Sequence, residues 1–256
     1  MLKNILTAGV MLIGASAQAQ NLSFDTNVSF EMVSATFKPA EAYSIATQTQ
    51  FSVRNFGLQA DYRFDATYDT PVFSTPASPR ISMELATFGF HGGYRISNAI
   101  RAGAFATYMF KPSDFTSQSY TLGAEVMFSF GHTDIEAAAA LEFPLNLSEP
   151  TQSGNLFFAA YHTVNPQLEL SLESSAYVNE ISPDARIILA SANVKYTLPN
   201  LPLSFKTGVQ NAYFTWRAPL TSVRFSISYD FGTPSEFRAF GQRGLDYVEL
   251  LAAARS

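Results

Sequence analysis

The sequence predicts an all-β protein: a transmembrane antiparallel up-and-down β-barrel of about twelve strands, with a short C-terminal helical tail. Three observations lead there. The chain is 47% hydrophobic and 14% aromatic but only 14% charged, well under the ~25% charged residues of an ordinary soluble domain, so an apolar solvent is implied. After residue 19 no run reaches the ~18 consecutive apolar residues of a membrane helix, which leaves a closed barrel as the structure that satisfies every backbone group in lipid. Connectors between the alternating segments run long, short, long, short, as in a barrel with loops on one face and tight turns on the other.

The N-terminal residues read as a secretory signal peptide over residues 1–19. Lys3 is the charged start, residues 5–13 are apolar, and Ala17-Gln18-Ala19 offers small residues for cleavage. The apolar part is too short to span a bilayer. The barrel is expected over residues 20–231 and a tail over 232–256. Cysteine is absent, which excludes a disulfide framework and a thiolate metal site. A net charge of −5 excludes a nucleic-acid binder.

The first strand sets the pattern: Leu22, Phe24, Val28, Phe30 and Met32 share one parity, and Ser23, Asp25, Asn27, Ser29 and Glu31 the other. Alternation recurs over 45–53 against Gln48, Gln50 and Arg54. It recurs again in Leu58, Ala60, Tyr62 and Phe64 against Gln59, Asp61, Arg63 and Asp65. Tyr120, Leu122, Val126, Phe128 and Phe130 mark a further strand, and Leu168, Leu170 and Leu172 against Gln167, Glu169 and Glu173 another. Val223, Phe225, Ile227, Tyr229 and Phe231 mark the last. Spacing assigns strands to 81–96, 99–110, 134–143, 155–164, 185–198 and 203–216; the alanines at 137–140 favour helix by propensity alone.

Long connectors are expected at 38–41, 69–80, 111–117, 145–154, 181–184 and 217–219, and short ones at 55–57, 97–98, 131–133, 165–166 and 199–202. Starting with a long one, this order places both barrel ends in the periplasm and makes the strand number even. A secreted sandwich or lipocalin-like barrel would carry charge throughout the second parity, where this chain has Ser, Thr, Gln, Asn and Gly. Tyr62, Phe64, Tyr94, Tyr108, Phe110, Tyr120, Phe128, Phe130, Tyr229 and Phe231 are candidates for interfacial girdles.

The closing strand, residues 223–231, alternates apolar residues and ends in Ser228-Tyr229-Asp230-Phe231. It resembles the closing strand of bacterial outer-membrane barrels and, with the Ala-rich leader, is similar to the porin type of alphaproteobacteria. The resemblance implies a Gram-negative outer-membrane location, outer-membrane lipid as surroundings, and the barrel-insertion machinery as a partner through the strand ending at Phe231. In that family the aromatic is usually the last residue, whereas this chain continues to residue 256, and it is short for the larger trimeric porins. The extension reads as a polar linker over 232–244 and an amphipathic helix over 245–255, with Leu245, Val248, Leu251 and Ala252 on one face. It is expected to plug the lumen, dock a periplasmic partner, or stay a loose extension.

With the apolar parity toward lipid, charged residues face the lumen. Glu125, Glu136, Glu142, Glu169 and Glu173 fall on middle strands, Lys195, Lys206 and Arg224 on the last three, and Arg54, Arg63, Arg95 and Arg101 on early ones. Segregated charge sets a transverse field across a pore. These residues are the pore-lining candidates of a porin-like channel for passive diffusion of small polar solutes or ions. These candidates are five acids and seven bases, and mild cation selectivity is expected from the acidic excess of the chain as a whole, 21 acidic against 16 basic side chains. The alternatives are a lumen filled by paired charges, or a structural or adhesive barrel acting through Tyr68, Pro71, Val72, Phe73, Pro76 and Pro79 of the longest loop.

A hydrolase is disfavoured: His91, His132 and His162 fall toward the periplasmic side, away from any Ser or Asp constellation at the outer rim. The same scatter predicts no metal site. No phosphate loop and hence no cofactor is expected, and residues 89–93 read as close packing or a kink.

Overall fold

The computed structural model describes residues 22–35, 41–69, 80–111, 114–145, 153–179, 186–215, 217–232 and 238–241. Among them the chain forms a closed barrel of twelve strands, each antiparallel to its sequence neighbours. In chain order these are β1 Leu22–Ala35, β2 Glu41–Val53, β3 Phe56–Asp69, β4 Arg80–Ser97, β5 Ile100–Lys111 and β6 Asp114–Phe130. Then follow β7 Thr133–Pro144, β8 Ser153–Asn165, β9 Leu168–Asn179, β10 Arg186–Thr197, β11 Leu203–Phe214 and β12 Arg217–Gly232. β1 pairs with β12 from Asp25 opposite Gly232 to Ala35 opposite Ser222, so no sheet edge is left open.

Period two decides which way each side chain points. Phe24, Val28 and Phe30 of β1, Leu170 and Leu172 of β9, and Val223, Phe225, Ile227, Tyr229 and Phe231 of β12 are exposed on the outside. Ser44, Gln50, Asp61, Glu125, Asn193 and Gln210 are buried on the inside. The molecule is therefore apolar outward and polar inward, the reverse of a soluble barrel. Outward aromatics pair near both rims: Phe56 with Tyr94 and Tyr229 with Phe231 at the short-turn end, Tyr120 with Phe143 and Tyr108 with Phe110 at the other. The alanine-rich segment is strand β7, because its backbone is paired on both sides and ladder bonds override a modest helix preference.

Two of the expected long connectors are corrected. The segment 111–117 is mostly strand, since β5 runs to Lys111 and β6 starts at Asp114, with Lys111 opposite Asp114. Likewise 217–219 belongs to β12, whose start pairs Arg217 with Phe214 across a register shift. Both hairpins continue by backbone hydrogen bonding past the point where apolar alternation stops, so the hydrophobic pattern undercounts them. Pro219, which has no N–H, falls within that irregularity and beyond the reach of β1. The leader over residues 1–19 and the helix expected over 245–255 lie outside the described residues.

Candidate functional site

The lumen has a packed wall and an open wall. The packed wall is carried by β3 to β8. Its centre is His91, 3% exposed, whose Nε2 lies 2.9 Å from Oδ2 of Asp61 and whose Nδ1 lies 2.9 Å from Oε1 of Glu125. Bonding both carboxylates through one imidazole takes two bridging protons. The Phe105 ring stacks on His91 at 5.5 Å between centroids, over Gly123, where a Cβ would come within 2.5 Å of the ring. Glu136 is fully buried on β7, and the Tyr161 hydroxyl donates to it at 3.4 Å.

Into this wall runs the short segment Arg238-Ala239-Phe240-Gly241. The Phe240 ring is 2% exposed, lies under the Arg101 guanidinium at 3.8 Å, and stacks against His91 at 6.3 Å. Gly93 and Gly103, directly paired across β4 and β5, leave the space for it: a Cβ on either would sit 3.2 Å from the ring. The Phe240 N–H donates to Oε1 of Gln59 at 2.9 Å. Its carbonyl accepts from Nε2 of Gln59 at 2.9 Å and of Gln48 at 2.8 Å. The Gly241 N–H donates to Glu136 at 3.0 Å. Arg238 forks onto both oxygens of Glu169 at 2.6 and 2.9 Å, with its guanidinium 3.6 Å above the Tyr161 ring. The segment thus crosses the short-turn half of the lumen from β9 to β2.

The open wall, β9 to β12 with β1 and β2, borders a cavity of 610 Å³. Arg63, Glu169, Glu173, Lys195, Lys206 and Arg224 of the pore-lining candidates line it. One pair there joins two of the expected blocks, Lys206 with Glu173, while Arg224 and Arg63 meet acids outside those blocks. Lys206 donates to Glu173 at 2.7 Å, Arg224 bonds Glu31 and Gln210, and Arg63 donates to Asp65 at 2.7 Å. Asn193 and Ser171 also donate to Glu173, so its charge is held by polar groups from β9, β10 and β11. Toward the long-loop end the inward face turns apolar, with Tyr177, Leu189, Ala212 and Phe214 packed together against Ile187 and Leu220.

Of the other candidates, Arg95, Arg101, Glu125, Glu136 and Glu142 take the inward parity on the packed wall, and Ser119 donates to Glu142 at 2.8 Å. Arg54 sits exposed in the turn after β2, with φ of 53°, because the chain reverses there before another inward position is reached. His132 is in the turn after β6, and His162 faces outward beside Thr133, 2.9 Å from its hydroxyl. Sequence reasoning missed His91, Gln48, Gln59, Arg238 and Phe240 as a group. The signal for it was an Arg and a Phe inside a stretch read as polar linker, together with small residues on the inward parity of β4 and β5.

No family model matches the sequence, and no curated protein matches it. Solved structures with the same fold include two porins and an outer-membrane channel. The COG4313 outer membrane channel from Pseudomonas putida F1 superposes with a TM-score of 0.59 at 9% identity, covering 85% of this chain and 98% of that one. The NanC porin gives 0.58 at 8% identity over 80% and 98%. The KdgM porin gives 0.54 at 9% identity over 80% and 99%. At such identities the likeness is one of fold.

Proposed function

We propose that this chain is a porin-like outer-membrane channel for passive diffusion of small polar solutes or ions, with a mild preference for cations. The observation that carries the reading is the polar 610 Å³ cavity inside a closed barrel whose outer face is apolar. An apolar exterior with aromatic rims suits lipid, and a hydrated lumen lined by fixed charges suits solute passage. The fold shared with known outer-membrane channels supports the same reading. On it, the short turns face the periplasm, a cleaved leader delivers the chain, and the insertion machinery reads β12 near Phe231. Kinship to the alphaproteobacterial porin type rests on that strand.

The cavity itself is balanced, with Asp25, Glu31, Glu169, Glu173 and Asp230 against Arg63, Lys195, Lys206, Arg224 and Arg238. On the packed wall Asp61, Asp65, Glu125, Asp134, Glu136 and Glu142 meet Arg95, Arg101 and His91, which tips the potential negative. A lumen of that sign disfavours polyanions such as the oligogalacturonate found with the KdgM porin. Both His91 nitrogens are engaged by carboxylates, leaving neither to activate a hydroxyl or water, which argues against the hydrolase alternative.

The test is single-channel recording of the refolded full-length protein in a planar bilayer under a salt gradient. Discrete steps with a zero-current potential of cation-preferring sign are expected. Proper insertion without steps would overturn the channel, and an anion-preferring sign would overturn the selectivity.

A further inference from the structure

We infer that the packed wall, with Glu169 and Gln48 at its borders, is a binding site for a short peptide of the form Arg-X-aromatic-Gly, and that the chain's own residues 238–241 occupy it as a plug that sets the pore's conductance. The conductance part rests on the channel reading above; the binding part does not.

The site is built on the barrel side and is not merely touched by a passing tail. The Arg238 and Phe240 side chains and three backbone groups of the segment each meet a receptor. The ring has a floor of two paired glycines, an imidazole beside it and a guanidinium over it. Both backbone polar groups of Phe240 are answered by glutamine side chains from two strands. Two buried or half-buried carboxylates on β7 and β9 take the Gly241 N–H and the Arg238 fork. A ring anchor, a fixed backbone register and a bidentate charge are together the elements of sequence-selective peptide recognition. Glycine is also informative at 93 and 103 because a strand gains nothing from it in propensity; its use there is the volume it leaves.

The segment bounds the same cavity that solutes would use, since Arg238, Ala239, Phe240 and Gly241 all line it. Occupancy therefore narrows the short-turn half of the lumen, and withdrawal opens the space between β2 and β9. The segment is joined to β12 by five residues, so the tethered peptide is held at high local concentration and any competitor must exceed it.

Two full-length variants test the site from opposite sides. Gly93→Val fills the ring's floor while its own Cβ meets no strand backbone closer than 3.8 Å; Arg238→Ala with Phe240→Ala removes the anchors. Hydrogen–deuterium exchange of the peptide spanning residues 238–241 reads seating without any current. Slow exchange at the Phe240 and Gly241 amides in the parent, lost in Gly93→Val, is expected; fast exchange in the parent overturns the site. In bilayers both variants are expected to show larger unitary conductance than the parent. Acetyl-Arg-Ala-Phe-Gly-amide, added from the short-turn side, is expected to block the anchor-less variant, while the same peptide with Ala for Phe is not. Steps that respond to neither variant nor peptide overturn the plug. Silence of every variant with exchange still changed by Gly93→Val sustains the binding site and removes the channel reading instead.

Discussion

The outward assignment of the apolar parity is most sharply tested at Leu172. It lies near the middle of β9, is 62% exposed on the outside, and is flanked in register by Ala160 and Ala192, so no large neighbour shields it. In a soluble barrel such a position tolerates arginine, with stability changing by about 0.5 kcal/mol or less. In a bilayer a guanidinium near the midplane costs about 2–4 kcal/mol, which lowers the folding equilibrium constant roughly 30-fold to several hundred-fold. The assay is reversible guanidinium titration of the refolded protein in phospholipid vesicles, followed by intrinsic fluorescence. Leu172→Arg is expected to lose stability in that range, whereas Ser29→Arg on the cavity wall stays near the parent. Equal, small losses for both would refute the lipid-facing assignment and the membrane reading with it.

Three further outcomes follow from the lumen. Gly123→Ala places a Cβ against the Phe105 ring and 2.7 Å from the Ala139 carbonyl oxygen, an overpacking of about 1–3 kcal/mol, read as a lowered denaturant midpoint in vesicles. His91→Leu leaves Asp61 and Glu125 facing a buried apolar group, a loss of roughly 3–5 kcal/mol, and adding Asp61→Asn and Glu125→Gln is expected to recover part of it in the same titration. The cation preference, being a field of wall charge acting across the water of the lumen, is expected to fade between about 0.01 M and 1 M salt as the Debye length shrinks from ~30 Å to ~3 Å. A preference unchanged over that range in zero-current potentials would assign selectivity to direct coordination instead.

The barrel was legible because lipid imposes one rule on every strand. Each outward position must be apolar, and the period of two then fixes faces, turns and strand number together. Where that rule stops, legibility stops. At 111–117 and 217–219 the sequence has no apolar alternation to distinguish strand from loop, and the strands extend there through the pairs Lys111 with Asp114 and Arg217 with Phe214. The lumen was legible in parity but not in partnership. Glu173 and Lys206 lie on β9 and β11, and Glu31 and Arg224 on β1 and β12. Their pairing depends on register and curvature, which the pattern along one strand does not contain. Lys206 of one sequence block thus meets Glu173 of another in space.

That pairing bears on how a twelve-stranded barrel avoids both extremes of its size class. Smaller barrels fill their lumen with side chains, and much larger ones leave a wide aqueous channel. Here the two solutions coexist side by side. From β3 to β8 the inward residues are long, aromatic or paired, and glycines at 89, 93, 103 and 123 let them interlock. From β9 to β2 the inward residues are largely short and polar, with Ser29, Ser191, Ser226 and Ser228 on the cavity wall. The segment around Phe240 lies along the boundary, its ring given to the packed side and its arginine to the open side. An element held by both walls resists displacement only while both hold. Weakening either Glu169 or the glycine floor should therefore loosen the whole segment and not one end of it. Glu169→Gln is thus expected to raise exchange at the Phe240 amide, although that amide bonds Gln59 and not Glu169. Unchanged exchange at Phe240 in that variant would show instead that the two ends are anchored independently.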